Sequence, residues 1–182
     1  MDNELILFDR LEVIRNTINK YGEDNFYISF SGGKDSTVLH YLVDLALPDN
    51  KIPRVFSNTG IEYNYIVDFV KELASNDVRF EIITPNKNIK ETLETVGYPF
   101  KSKEHSTKLG LYQKGSHSHS VLQYKDGDKG RFCCPKILKY QFSDDFRLKV
   151  SEHCCRELKK KPFKKWQKEN GKKITMTGMR AQ

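Results

Sequence analysis

Ser31-Gly32-Gly33-Lys34-Asp35-Ser36-Thr37 sets two glycines, three hydroxyls and a lysine side by side. The glycine pair opens backbone conformations closed to other residues and lets main-chain amides approach an oxyanion. The apolar run Phe26-Tyr27-Ile28-Ser29-Phe30 precedes it, and Val38, Leu39 and Leu42 recur at helical spacing after it. The amides therefore fall at a helix N-terminus, where unpaired N–H groups and the helix dipole favour negative charge. Ser31, Lys34, Ser36 and Thr37 add side-chain donors around the same point, and a phosphate is the guest this chemistry suits.

Four cysteines form a second candidate: Cys133-Cys134 and Cys154-Cys155. Neighbouring cysteines close a disulfide only with strain, so the pairs are poor internal bridges. Four thiolates match the ligand count of a tetrahedral zinc site or a four-iron cluster, although the spacing is not the C-x-x-C of zinc ribbons. Three readings stay open: iron–sulfur cluster, zinc, and free or redox-active thiols. His117 and His119 stand at i, i+2 without a third ligand nearby, and His105 and His153 have no evident partner as general bases. Lys101 to Lys108 is rich in phosphate-friendly donors and reads either as a second wall of an anion site or as a solvated loop. Arg156 to Lys173 holds Lys159, Lys160, Lys161, Lys164, Lys165, Lys168 and Lys172 among few acids. That block reads as a site for nucleic acid or polyphosphate, or as a solvated helix face.

The elements that must position these groups follow from periodicity. Leu5, Phe8, Leu11, Ile14 and Ile18 predict an amphipathic helix over Asn3 to Tyr21. Arg54 to Ser57 predicts a second strand, running straight into Asn58-Thr59-Gly60. Ile61 to Ala74 predicts a helix; Glu62 and Tyr63 read either as functional residues or, as the favoured reading, as its first turn, and Val78 to Thr84 predicts a third strand. Asn88 to Val96 reads as a short helix ended by Gly97, Gln113 to Arg131 as a mobile loop, and Lys173 to Gly178 as a last strand. Strands alternating with helices imply an α/β fold with a doubly wound, mostly parallel sheet, whose ligand lies beyond the carboxyl ends of the strands.

The Walker A pattern GxxxxGK[ST] is not matched. SGGKDS after a strand instead resembles the PP-loop of ATP pyrophosphatases and adenine-nucleotide α-hydrolases, the superfamily that also holds phosphoadenylyl-sulfate and adenylyl-sulfate reductases. The resemblance implies that Ser31, Gly32, Gly33, Lys34, Asp35, Ser36 and Thr37 hold the phosphates of ATP or an adenosine phosphosulfate, with Asp35 orienting Mg²⁺ or the loop. It carries Thr59 and Gly60 over as a turn that helps enclose the nucleotide. It also carries over Gly178 and Arg180, a late Gly-x-Arg whose arginine reaches the phosphates, so that Lys34 and Arg180 offset charge in the reaction. Cys154-Cys155, followed by Lys159 to Pro162, is similar to the Cys-Cys…Lys…Pro segment that ligates a four-iron, four-sulfur cluster in adenylyl-sulfate reductases. The family's C-terminal C-x-x-C is not found here, and Cys133 and Cys134 would have to supply the other ligands. The sequence stops at Gln182 without the Glu-Cys-Gly-Leu-His-type tail of those reductases, which implies a shortened relative or thiol chemistry at one of the four cysteines.

The 182 residues fit one domain, 1–182, with a basic, cysteine-rich C-terminal part from about residue 131. Hydrophobic content of 37% and charged content of 30% suit a soluble chain. No apolar run approaches the ~18 residues of a membrane span, and Met1-Asp2-Asn3-Glu4 lacks a basic signal-peptide start. A cytoplasmic protein is expected. Lys plus Arg 31 against Asp plus Glu 24 leaves a net charge of +7. Three functions compete: sulfonucleotide reduction, ATP cleavage that activates an acceptor such as nucleic acid for thiolation, and a non-catalytic module that binds nucleic acid or a protein partner.

Overall fold

The structure is a computed structural model that describes residues 3–127, 130 and 132–179. Its elements are α1 (Asn3–Tyr21), β1 (Phe26–Phe30), α2 (Lys34–Ala46), β2 (Arg54–Ser57), α3 (Asn64–Asn76), β3 (Phe80–Ile83), α4 (Ile89–Val96), α5 (Lys103–Gln113), α6 (His119–Asp126), α7 (Lys161–Glu169) and β4 (Ile174–Met176). The chain divides into two compact units, Met1–Asn86 with Lys161–Gln182, and Lys87–Lys160.

In the first unit the four strands pair in parallel in the order β3-β2-β1-β4. Ile28 registers with Arg54 on one side and Met176 on the other, and Phe30 with Phe56. Side chains alternate faces along a strand, so β1 serves two layers. Phe26 and Ile28 pack with Ile18 of α1 and Val43 of α2, while Phe30, Phe56 and Phe80 pack with Val70 of α3. Tyr27 and Val55 point the other way, onto Trp166 of α7 with Phe163 beside it. The Trp166 indole N–H donates to Glu81 of β3 at 2.6 Å. These helices flank a parallel sheet in the Rossmann-like α/β arrangement expected from the alternation of elements.

Between the α2 face and the sheet lies an ion network. Arg54, fully buried, donates to Asp44 at 2.6 Å, to Asn50 Oδ1 at 2.8 Å and to His40 Nδ1 at 3.1 Å. Arg79 bridges Asp44 at 2.8 Å and Asp77 at 2.7 Å. Burial pulls the His40 pKa down against the opposing charge of Asp44. For Asp44, burial pushes upward, but hydrogen bonds from Arg79 and Asn50 with the charges of Arg54 and Arg79 prevail and hold its carboxyl below the usual range.

The second unit differs from expectation in two places. Lys101 to Lys108 is not a loop: α5 starts there, its N-cap Ser102 accepting the His105 amide at 3.1 Å. Gln113 to Arg131 contains the helix α6, begun by His119. Apolar periodicity missed α5 because much of its buried face is polar. His105 and Ser106 are buried beside Leu109, and Gly110 sits so close to Val150 that a Cβ would lie 2.6 Å from its carbonyl oxygen. The Gln141 side-chain oxygen, 2.7 Å from His105 Nε2, fixes the proton on that nitrogen, so the Tyr124 hydroxyl donates to Nδ1 at 3.0 Å. Leu109, Tyr124, Cys134, Phe142 and Val150 close the core around this pair.

Candidate nucleotide site

The loop between β1 and α2 is shaped from within. Gly32 has φ 71, in the left-handed region, and a Cβ there would stand 2.6 Å from Ile66 Cγ2 on α3. Both its backbone and its surroundings demand glycine. The Ser36 hydroxyl donates to the Gly33 carbonyl at 2.9 Å, as does Thr37 at 3.0 Å. With that proton committed, Ser36 Oγ accepts the Ser31 amide at 3.2 Å and the Ser31 hydroxyl at 3.0 Å. The Gly33 amide in turn reaches Ser31 Oγ at 3.3 Å. The hydroxyls expected to add donors for an anion thus brace the loop. What the loop presents outward is the first turn of α2, whose amides have no intrahelical acceptor, and the exposed Lys34.

The turn after β2 emerges at the same sheet edge, since β1 and β2 are parallel neighbours. Thr59 is buried, and both its donors are taken by one side chain: its amide reaches Glu62 Oε2 at 2.8 Å and its hydroxyl Glu62 Oε1 at 2.8 Å. Gly60 has φ 82, and its amide donates to Asn58 Oδ1 at 3.0 Å. Glu62 was expected in the first turn of the next helix. The helix begins at Asn64, and Glu62 instead folds back as the clasp of the turn. The spacing of an acid three residues after Thr59 is the only sequence signal for this role.

Gly178 follows β4, the neighbour of β1 on its other side. A Cβ there would overlap the Asp35 carbonyl oxygen, so the 177–178 backbone lies directly on the first turn of α2. The loops after β1, β2 and β4 therefore converge, and the sheet order places the loop after β1 at the point where strand progression reverses, between β1 and β4. Arg180, the second charge expected here, lies outside the described residues.

The four cysteines belong to the second unit, and no disulfide joins them. Cys134 is buried, its thiol 4.0 Å from His105 Nδ1 and 3.5 Å from the Pro135 carbonyl, and burial pushes its pKa up. Cys154 and Cys155 line a different place, a cavity with Phe100 and Lys103. Among the described residues no three His, Cys, Asp or Glu side chains gather as a metal-holding group. As arranged, Cys133 and Cys134 do not gather with Cys154 and Cys155 into a four-thiolate site for an iron–sulfur cluster or zinc. His117 stacks edge-on with Tyr112 at 5.7 Å, an aromatic contact. Among the described residues no helix is long and apolar enough to cross a membrane.

Comparison with known proteins agrees with this geometry. Residues 25–126 match the model of the phosphoadenosine phosphosulfate reductase domain, a span that takes in β1, the loop, the Thr59 turn and the helices through α6. A protein of Methanocaldococcus jannaschii, described as uncharacterized, is 36% identical over 103 residues. That alignment covers 51% of this chain and 25% of the archaeal protein, so the chain spans a minor part of its relative's length. With the matched span covering more than half of the chain and containing both the loop and the turn, the chain belongs to the phosphoadenosine phosphosulfate reductase domain family.

Proposed function

We propose that the first unit binds an adenine nucleotide, ATP or an adenosine phosphosulfate, and acts at its α-phosphate or attached sulfate. The observation that carries this reading is the loop from Ser31 to Thr37, braced by its own hydroxyls, which sets the first-turn amides of α2 and exposed Lys34 at the reversal point of a parallel sheet. Amides fixed in advance need no reorganisation as negative charge grows on a departing oxygen, which is how such a cup accelerates bond cleavage. Lys34 supplies a cation to the same oxygens, and Arg180 is assigned the second charge on them from the Gly-x-Arg resemblance alone. Asp35, in the first turn of α2, is assigned to orienting the loop or a Mg²⁺ ion. The Thr59 turn, clasped by Glu62, forms the adjoining wall.

Two chemistries fit this cup, and one experiment separates them. Exchange of labelled pyrophosphate into ATP identifies adenylation of an acceptor. Sulfite release from an adenosine phosphosulfate in the presence of a thiol identifies reduction. Neither reaction, with no nucleotide bound, overturns the proposal.

A second reading concerns the acceptor. On α7, Lys161, Lys164, Lys165 and Lys168 are exposed on the face opposite buried Trp166. Lys165 lies 3.9 Å from Glu169 at the surface, a pair that solvent screens. This basic stripe suits a polyanion such as nucleic acid, whose binding would weaken steeply with salt.

A further inference from the structure

The second unit contains a cavity of about 680 Å³ lined by none of the residues assigned to the nucleotide. Its wall combines three features. Cys154 and Cys155 lie side by side, Cys155 exposed; Lys101, Lys103, Arg156 and Lys160 supply four cations; and Phe100 and Pro99 add apolar surface. Glu152 is the one carboxylate among the lining residues, and it is engaged by His153 at 3.4 Å. Arg156 also reaches Glu157 at 3.2 Å. The charge balance stays positive. Lys101 holds a φ of 54, the one non-glycine among the described residues in the left-handed region, so the backbone at the rim is kept in a costly conformation.

We propose that this cavity is a second binding site, which takes a small anionic disulfide or thiol and exchanges it with Cys155. The volume is that of a pocket for a ligand of a few tens of atoms. The cations select its charge, and Phe100 and Pro99 receive its aliphatic or aromatic body. In the exchange the Cys155 sulfur attacks one sulfur of the ligand's S–S bond. A Cys155–S bond forms, the ligand's S–S bond breaks, and the departing half leaves as a thiolate, taking up the proton that Cys155 gave to solvent. Attack on the mixed disulfide by a second thiol of the same class returns Cys155 to its reduced form and completes a two-electron exchange without another oxidant. Cys154 does not close the ring with Cys155, because an adjacent pair bridges only with strain. The mixed disulfide therefore persists until an external thiol arrives. This site stands independently of the nucleotide reading, since the exchange needs no nucleotide.

The test uses the full chain with two probes of opposite charge, 5,5′-dithiobis(2-nitrobenzoate), an anionic disulfide, and cystamine, a cationic one. Modification at Cys155 is followed by peptide mass. The expected result is a Cys155 rate that saturates with the anionic probe and, once each rate is divided by that of the same probe with a free neutral thiol to remove the difference in leaving-group acidity, exceeds that with cystamine by about tenfold or more at low salt. Lys103→Gln with Lys160→Gln should reduce the anionic rate by about tenfold and leave the cystamine rate unchanged. Both lysines are exposed, so the double variant keeps the fold, with circular dichroism as the check. A Cys155 rate that rises linearly with probe, is equal for both charges once so divided, or is unmoved by the double variant overturns the site.

Discussion

At the scale of single residues, the nucleotide loop is governed by where a few protons and one missing methyl group go. Ser36 gives its proton to the Gly33 carbonyl and accepts from Ser31 twice. Ser36→Ala should therefore cost about 1 kcal/mol of stability, read by urea denaturation, and loosen nucleotide binding by more than the stability loss alone explains. Gly178→Val would drive its side chain into the Asp35 carbonyl. The expected outcome is loss of nucleotide affinity with secondary structure unchanged by circular dichroism; retained affinity would show that the 177–178 backbone has no part in the cup. Glu62→Ala deprives the buried Thr59 amide and hydroxyl of their acceptor. A loss of about 1–3 kcal/mol is expected, with weaker nucleotide binding, and Glu62→Gln should restore part of both. The glycines and the lysine of this loop were legible in the sequence because their chemistry is local. Glu62 was not, because an acid just ahead of a helix has an ordinary explanation in the helix dipole, and only the fold reveals that it turns back.

Elements were legible to the degree that their buried faces are apolar. The strands carrying the site follow from alternation, and β2 begins and ends where the residues predict; α1 spans the predicted Asn3–Tyr21, but of its predicted stripe only Ile18 is buried, while Leu5 and Phe8 are exposed. The third and last strands are shorter than predicted, Phe80–Ile83 and Ile174–Met176, since only those residues pair. Helix α5 escaped because its interior contacts run through His105, Ser106 and a glycine rather than through leucines. Such a helix depends on its polar details. Ser102→Ala removes the cap on the His105 amide and should cost about 1 kcal/mol, measured by thermal or urea unfolding. Trp166 holds α7 to the sheet through Tyr27, whose ring centroid is 5.2 Å away, and through Glu81. Trp166→Ala should cost about 3–5 kcal/mol, a large enough share of a domain's stability to lower expression of the folded chain.

For the molecule as a whole, the ion network on β2 links stability to pH. His40 has a pKa below its ordinary value near 6.5, so the unfolded chain takes up that proton first, and stability is lost as pH falls below about 6.5. The geometry agrees, because His40 Nδ1 accepts from Arg54 and a proton there would oppose the donor. Asp44 is held low as described. Asp77 is held low chiefly by its hydrogen bonds with Arg79, against the upward push of burial. Depressed carboxylates give stability that is present above their unfolded pKa and lost as pH falls through the folded one, so the decline continues below about 4. Urea midpoints at falling pH should therefore drop in two stages, and His40→Gln should flatten the first. A midpoint constant from pH 7 to pH 5 would contradict this account of the network.

The central claim is that the cup after β1, with Lys34 at its rim, holds the phosphate chain of an adenine nucleotide. Isothermal titration of the full chain with ATP and with adenosine 5′-phosphosulfate, repeated on Lys34→Ala, tests it most directly. The account predicts saturable binding of at least one of the two, weakened about tenfold or more in the variant, as expected for loss of a charge-assisted contact. No heat with either nucleotide, or equal affinity in the variant, would contradict it.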